Sequence, residues 1–445
     1  MSKKSTPIDK IARPFQKFLH TESSGGIILL AATVVALIWA NSPWSSLYND
    51  LWHSHFKIGF DNFNLDYSLH HWINDGLMVI FFFVVGLEIK RELLVGELSS
   101  VRQAALPIAA ALGGMIVPAA IYFAFNSTGN ETAGWGIPMA TDIAFVVGLF
   151  ALLGKNVPVS LKIFITALAI VDDIGAVLVI AVFYSSEISL IALGIAAGLI
   201  LLLILLNKLG VRSILIYSVV GFILWLAFLK SGIHATIAGV LLAFTIPAYS
   251  RLNTKEFLDK GNYLLKEFDY AGEEGANILT NEPRQSIVQE LKSGVAKMMT
   301  PLQIFEHGLH PWVSFFIMPV FALANAGVGF SSDFFDHLVS PVSVGIIAGL
   351  FAGKQLGIFS FSWLAVKLGI AAKPNGVTWK LIYGAAVMAG IGFTMSLFIS
   401  NLAFADELLV KISKVGILTA SFLSGVIGFI ILKTSINKTS INENR

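Results

Sequence analysis

Cysteine is absent from the 445-residue sequence, and charged side chains are scarce. Without a thiol the chain can form no disulfide, no zinc–thiolate centre and no cysteine nucleophile. Charged residues make up 13% of the sequence, about half of the roughly 25% found in soluble globular domains. So few charges cannot cover a soluble protein of this length, which excludes a soluble enzyme, a nucleic-acid-binding protein and a disordered scaffold.

The sequence contains many long runs of apolar residues with few charges. Hydrophobic residues make up 56% of the chain, and the mean hydropathy is +0.76. A membrane-spanning helix needs about 20 mostly apolar residues, whereas the strands of a membrane barrel alternate over about ten. We therefore predict an all-α polytopic membrane protein. The twelve predicted spans lie near residues 25–42, 75–95, 104–125, 135–153, 159–184, 188–206, 213–229, 233–248, 301–325, 341–366, 379–403 and 408–432.

The distribution of basic residues predicts the orientation. The loops after even-numbered spans and both tails hold 25 of the 30 Lys and Arg residues, and the loops after odd-numbered spans hold four. By the positive-inside rule both termini are cytoplasmic. We predict a retained cytoplasmic arm at 1–24, one membrane domain at 25–432, a cytoplasmic loop at 249–300 and a cytoplasmic tail at 433–445.

Two polar excursions leave the predicted membrane domain. Residues 43–74 carry three aspartates among scattered aromatic residues, which predicts an outer hairpin or interfacial segment. In the 249–300 loop, the pattern of residues 283–298 predicts one amphipathic helix. We interpret this loop as a connector, with a regulatory role as the alternative.

Four ionisable residues fall near the middle of predicted spans: Asp142, Asp172, Asp173 and Lys354. Each such residue costs roughly 2.5–3.5 kcal/mol at the bilayer centre on insertion scales. A structural salt bridge would account for one aspartate and the lysine, but three acids outnumber one base. At least one carboxylate lacks a cationic partner, which favours a transport site over a purely structural cluster.

Asp172 and Asp173 are neighbours and therefore point about 100° apart on a helix. One carboxylate can face Lys354 while the other faces a water-filled cavity. Two carboxylates this close titrate as a coupled unit. Because hard cations prefer oxygen ligands, the pattern predicts a site that holds either Na⁺ or protons.

Two predicted spans contain helix-breaking residues at mid-depth. The fourth has Pro138 a few residues before the adjacent Thr141 and Asp142, and the eleventh has two glycines in residues 389–394. Interrupted backbone is tolerated in a membrane only around a cavity or inside protein. The two spans are seven apart and therefore run in opposite directions, so spans 3–5 and 10–12 are predicted to form an inverted repeat, as in secondary transporters.

Glycines recur every four residues in the span that carries Lys354, at positions 345, 349, 353 and 357. Small residues at this spacing allow the backbone of another helix to approach closely. The pattern predicts a tight helix contact that brings Lys354 towards the acidic pair.

Five motifs carry a family resemblance: residues 86–92, 140–145, 171–175, 306–312 and 353–355. In these motifs, and over nearly its whole length, the sequence resembles the bacterial NhaA-type sodium/proton antiporter family. The resemblance implies a secondary transporter of the bacterial inner membrane that exchanges cytoplasmic Na⁺ or Li⁺ for external H⁺ by alternating access. It implies no cofactor and no catalytic residue, with lipid and the two ions as partners, no nucleic acid, and a possible homodimer.

The resemblance also implies roles for the mid-membrane residues. Asp173 would be the principal Na⁺ ligand, with Asp172 as its partner. Asp172 would alternate between a salt bridge with Lys354 and a protonated or cation-linked state. Asp142 and Thr141 would support the site from the broken span.

A second set of residues is implied to sense pH. From the residues alone, membrane-interface anchoring and loop salt bridges are the competing interpretation of these charges. The 249–300 loop is longer than the connector expected from the resemblance. Because this loop precedes part of the set, the pH at which these residues respond does not carry over directly from the family. The implied pH-sensing residues are Glu88, Arg91, Glu92, Glu306, His307, His310 and His234.

Three other functions fit parts of the pattern. A proton- or sodium-coupled solute symporter would share the architecture, and a passive cation channel would show flux without proton coupling. An intramembrane aspartyl protease also needs two acids at mid-depth, but facing each other across one peptide. The presence of Lys354 beside the acids disfavours the protease, because a lysine keeps a neighbouring carboxyl charged.

Overall fold

A computed structural model describes residues 23–60, 63–154, 156–185, 188–250, 254–271, 281–330 and 333–443. Helices account for most of these residues, and the predicted all-α class is confirmed. The predicted arm at 1–24 lies almost wholly outside the described residues. The helices and strands, numbered in chain order, are α1 (Ser23–Ala40), α2 (Ser45–His53), β1 (His55–Phe60), β2 (Phe63–Ser68), α3 (Leu69–Val95), α4 (Val101–Phe125), α5 (Ile143–Leu152), α6 (Val159–Phe183), α7 (Leu190–Lys208), α8 (Ile214–Leu229), α9 (Ile237–Thr245), α10 (Thr254–Tyr270), α11 (Glu282–Met298), α12 (Pro301–Asn325), α13 (Phe334–Val339), α14 (Pro341–Lys367), α15 (Trp379–Met388), α16 (Phe393–Ala403) and α17 (Glu407–Glu443).

Fewer helices have the length and apolarity of a membrane span than the twelve that the sequence predicted. In the described ranges eight helices are long and apolar enough to cross a membrane, and two bent pairs, α1/α2 and α15/α16, raise the count to ten. A count of twelve is therefore not confirmed. The stretches near 213–229 and 233–248 form helices of only 16 and 9 residues, separated by a turn in which Gly232 has a φ of 81°.

The polar excursion at 43–74 contains helix α2 and an antiparallel hairpin of β1 and β2. Lys57 Nζ lies 2.8 Å from one carboxylate oxygen of Asp66, and His55 Nδ1 lies 2.9 Å from the other. The hydrogen bond from Lys57 is the main reason that the pKa of Asp66 lies below its ordinary value. The hairpin form of the prediction is thus the one found.

The 249–300 loop contains two helices, α10 and α11, that pack against each other. The predicted helix at 283–298 corresponds to α11, which begins after an Asn281 side chain that caps the Arg284 N–H. Helix α10 was missed. Thr300 then caps α12 together with Gln303 in a capping box, so that α12 begins directly after the loop.

The glycine face of α14 packs against α4, and the two helices run antiparallel. Gly345 lies against Tyr122 near the end of α4, whereas Gly357 lies against Gly113 near its middle. A Cβ on Gly357 would collide with the Gly113 carbonyl, so glycine is required for this approach. The predicted close contact is confirmed, with α4 as the partner helix.

Both predicted interruptions are present, and the two broken helices cross. The first consists of a 3₁₀ segment, Asn130–Met139, an extended stretch at 140–142, and α5. The second breaks between α15 and α16, which are bent by 46°. Gly134, near the start of the 3₁₀ segment, contacts Phe404 beyond the end of α16, while Ile137 O accepts a hydrogen bond from Ser396 near the start of α16. The two broken helices are therefore antiparallel, as an inverted repeat requires.

Candidate functional site

A buried salt bridge joins α6 to α14. Lys354 Nζ lies 2.6 Å from Asp172 Oδ2, and both side chains are fully buried. Lys354 reaches this position because α14 packs closely on α4, whose Gly114 lies near the ammonium group. The pattern of residues alone predicted this proximity without deciding which aspartate takes part, and the family resemblance implied Asp172.

Asp172 is only partly satisfied by its neighbours. Thr141, in the extended stretch before α5, donates its hydroxyl hydrogen to Asp172 Oδ2 over 2.7 Å. The same oxygen binds Lys354, while Oδ1 is buried without a hydrogen-bond partner. A buried unpaired oxygen is costly, so the Asp172 carboxylate has capacity for a further proton or cation.

Asp142 holds the two helix breaks together. Its Oδ1 accepts from Phe145 N and caps α5, and its Oδ2 accepts from both the backbone N–H and the hydroxyl of Thr394 at the start of α16. Asp142 N also donates to Ile391 O over 2.7 Å. Both carboxylate oxygens are thus used to satisfy the free N–H groups of two opposed helix N-termini.

Asp173 stands apart from this network. The structure gives its carboxylate neither a hydrogen bond nor an ion pair with any described residue, although the residue is only 2% exposed. Asp173 instead lines a cavity of about 690 Å³ together with Thr141 and Asp142. We call this the loop-face cavity, because it lies at the end of the molecule where α12 follows the α10–α11 loop.

Most of the implied pH-sensing residues lie in the loop-face cavity. Arg91 forms ion pairs with Glu92 and with Glu306, and the second oxygen of Glu306 is buried without a partner. Exposed His307 is not among the lining residues. Those that line the cavity with Asp173 are Glu88, Arg91, Glu92, Glu306 and His310.

His234 lies in a different cavity. Its Nε2 is 3.3 Å from Asp75 and its Nδ1 is 2.9 Å from the Thr236 hydroxyl. This second cavity, also about 690 Å³, is next to the β-hairpin and contains His70 and Lys411 among its lining residues. We call it the hairpin-face cavity. His234 is therefore not brought together with the other implied pH-sensing residues.

The structure adds one residue to the predicted site. Thr394 binds Asp142 through two hydrogen bonds, whereas the sequence predicted only that Asp142 belongs with the other acids. Its position next to the glycines of the eleventh span was the available signal. A pattern of charges gives depth in the membrane but not the hydrogen-bond partner of each oxygen.

The sequence model for the family described as Na⁺/H⁺ antiporter 1 matches residues 16–432. The chain is 52% identical over 429 residues to a Na⁺/H⁺ antiporter NhaA of Oleidesulfovibrio alaskensis, covering 96% of this chain and 95% of that protein. It is 49% identical over 433 residues to a Na⁺/H⁺ antiporter NhaA of Koribacter versatilis, covering 96% and 93%. It is 50% identical over 423 residues to Na⁺/H⁺ antiporter NhaA 2 of Syntrophotalea carbinolica, covering 95% and 96%.

Proposed function

The chain belongs to the Na⁺/H⁺ antiporter 1 family, and on that premise we propose that it exchanges cytoplasmic Na⁺ or Li⁺ for external H⁺ across the bacterial inner membrane. Members of this family are transporters and not enzymes, so the ions are cargo and no cofactor takes part. The observation that carries the proposal is the unpartnered Asp173 carboxylate at the inner end of a cavity.

Asp173 is the principal binding group in this proposal. Among the three mid-membrane acids, only Asp173 makes no hydrogen bond or ion pair with a described residue, and its side chain lines the loop-face cavity. A carboxylate without a protein partner needs a proton or a cation. A Na⁺ ion and a proton would therefore exclude each other, and that competition couples their movements.

Asp172 and Lys354 supply the second part of the site. Their salt bridge leaves one Asp172 oxygen unused, and Thr141 holds the carboxylate from the broken span. When Na⁺ binds, Asp172 leaves Lys354 and joins Asp173 as a ligand. If the cycle returns more than one proton for each Na⁺, it moves net charge and is driven by membrane voltage.

The charge of the loop-face cavity supports entry of cations from that side. Six carboxylates line it against two basic residues, Arg91 and Lys162. A cavity of one sign concentrates ions of the opposite sign. Together with the excess of Lys and Arg in the same loops, this favours the loop face as the cytoplasmic one and both termini as cytoplasmic.

Alternating access follows from two groups of helices. We assign α1–α3, α7–α9 and α12 to a scaffold, and α4–α6 with α14–α17 to a core. Both cavities are lined by residues of the two groups, one cavity at each end of the same interface. Movement of the core against the scaffold would close one cavity and open the other around Asp173.

Regulation by pH is assigned to the charges at the mouth of the loop-face cavity. Glu306 on α12 forms an ion pair with Arg91 on α3, so a change at this ion pair alters how two scaffold helices meet. His310 lines the same region. His307 and His234 remain in the proposed pH-responsive set, although neither lines the loop-face cavity. His234 would act through its contact with Asp75 on the opposite face.

A homodimer is proposed through the hairpin segment at 43–74. Trp44, Leu47 and Phe56 in this segment are exposed apolar side chains, and the hairpin has two strands only. An unpaired strand edge and an apolar surface favour pairing with a second copy. Deletion of the hairpin is expected to halve the protein mass measured by light scattering in detergent.

Proton movement in everted membrane vesicles tests the exchange. With respiration holding the lumen acid, added Na⁺ or Li⁺ is expected to release luminal protons, reported by a pH-sensitive dye, and K⁺ is expected to release none. The signal is expected to fall at acid pH, because protons then occupy the carboxylates. The Asp173→Asn variant is expected to give no signal.

The exposed Asp259 of helix α10 offers a matched control. The Asp259→Asn variant removes one carboxylate as well, yet it is expected to behave as the wild type. An unchanged signal in Asp173→Asn would exclude the assigned site. Sodium-dependent proton movement in the opposite direction would favour a solute symporter.

A further inference from the structure

Aromatic side chains pack together beside the hairpin-face cavity. Phe398 on α16 is fully buried, with its ring 5.3 Å from that of Phe82 on α3 and 6.3 Å from that of Phe321 on α12. Phe398 also lines the hairpin-face cavity. A core residue is thus packed between two scaffold helices.

A partly buried amide lies about one helical turn from this ring. Asn401 on α16 donates from Nδ2 to Asn325 Oδ1 at the end of α12 over 2.7 Å. This hydrogen bond joins the core to the scaffold at the floor of the hairpin-face cavity, which Asn401 lines. Neither side chain is required by the site that binds the ions.

The Asn325 amide uses its full hydrogen-bonding capacity of two donors and two acceptor positions. Its Oδ1 also lies 3.0 Å from His70 Nε2, and its Nδ2 donates to Asn74 Oδ1 and to Phe321 O. The side chain is fully buried. A buried amide with every position filled has one well-defined geometry, so Asn325 offers Asn401 a fixed acceptor.

We propose that the Asn401–Asn325 hydrogen bond, with Phe398 beside it, is the latch that keeps the hairpin face closed while the site is open to the loop face. In this state the apolar ring excludes water and the amide pair fixes the core against the scaffold. Opening the hairpin face separates α16 from α12 and breaks the bond. Asn401 and Asn325 are positioning residues and touch no ion.

The role of the latch depends on the proposed exchange cycle, but the experiment that tests the latch needs no Na⁺. The chain has no cysteine, so a single introduced thiol reports one position. Met395 lines the loop-face cavity one turn before Phe398. In a Met395→Cys background, an impermeant cationic thiol reagent is added to vesicles of either orientation, and the labelling rates from the two faces are compared.

The wild-type latch is expected to confine labelling to the loop face. Asn401→Leu keeps a similar volume without the amide, and it is expected to raise the ratio of hairpin-face to loop-face labelling about tenfold, the effect of roughly 1.4 kcal/mol. If Asn401→Leu does not fold, Asn401→Ser removes the long donor in a smaller polar residue. The same shift is expected for it.

Asn41 supplies a matched control. It also bridges two segments on the hairpin face, donating to Val328 O and accepting from Phe330 N, but both segments belong to the scaffold side. Asn41→Ala is expected to lower stability without changing the labelling ratio. An unchanged ratio in Asn401→Leu and Asn401→Ser, or an equal shift in Asn41→Ala, would overturn the latch. If the wild type showed no Na⁺-dependent proton release, the proposed exchange function would be overturned instead.

Discussion

At the scale of single residues, the four mid-membrane charges divide into three chemical situations. Asp142 has both oxygens committed to helix N-termini, and Asp172 is paired with Lys354. Asp173 makes no hydrogen bond or ion pair with a described residue and lines a cavity. Identical side chains at similar depth therefore have different surroundings, and of the four only Asp173 could bind an ion without breaking a hydrogen bond or ion pair.

The salt bridge makes a prediction about stability. Lys354→Met leaves the Asp172 carboxylate buried without its cation, which costs about 3–5 kcal/mol. A large fall in the melting temperature of the purified protein in detergent is expected. The double variant Lys354→Met with Asp172→Asn removes both charges, and it is expected to recover most of the lost stability. Equal melting temperatures for the single and double variants would exclude this account of the pair.

The sequence predicted the members of the site better than their contacts. Position in the middle of predicted spans singled out the three aspartates and Lys354, because a charge inside an apolar span is costly unless it is paired or functional. It did not predict that Thr394 would bind Asp142, because that bond depends on how two distant helix breaks cross. The separation of His234 from Glu306 agrees with the sequence, because the order of the spans puts the start of the eighth and the start of the ninth at opposite faces.

At the scale of helices, close packing of α4 on α14 fixes Lys354. The Gly357 position allows no Cβ, so Gly357→Ala forces the helices apart, at a cost of about 1–3 kcal/mol for overpacking. We expect lower thermal stability and weaker Na⁺-dependent proton release. Both follow from displacement of Lys354 from Asp172.

Helix α7 provides the control for this prediction. A Cβ on Gly198 would meet nothing within 4 Å, so Gly198→Ala adds the same methyl group in open space. Its stability is expected to be unchanged or raised by up to about 1 kcal/mol, the intrinsic helix preference of alanine. Matched losses in both variants would show that glycine itself, and not the close approach, is what matters.

Helix boundaries agree with the prediction to within a few residues in most spans. Helix α8 (Ile214–Leu229) matches the predicted 213–229, whereas α9 (Ile237–Thr245) is shorter than the predicted 233–248. The sequence did not predict π-helical turns, which occur in three helices of the described ranges, at Trp72–Leu77, Val313–Ile317 and Ala348–Gly353. Each inserts a residue without changing composition, so apolar patterns cannot reveal it. The last of these directly precedes Lys354 and sets its direction.

At the scale of the whole molecule, two cavities lie at opposite ends of one helix interface. The sequence predicted the inverted repeat, because the two broken spans are an odd number apart, and the antiparallel crossing of the broken helices agrees with it. It could not predict which cavity reaches Asp173. That depends on the position of the core relative to the scaffold, a small difference between two packed states.

Competition between Na⁺ and protons at Asp173 is the central claim, and calorimetric titration of the purified protein with Na⁺ tests it most directly. Repeating the titration in buffers with different ionisation enthalpies counts the protons released. We expect binding to release protons, the apparent Kd to rise about tenfold for each unit of falling pH while one proton competes, and Asp173→Asn to bind no Na⁺. Binding of Na⁺ with a pH-independent Kd and without proton release would contradict the account.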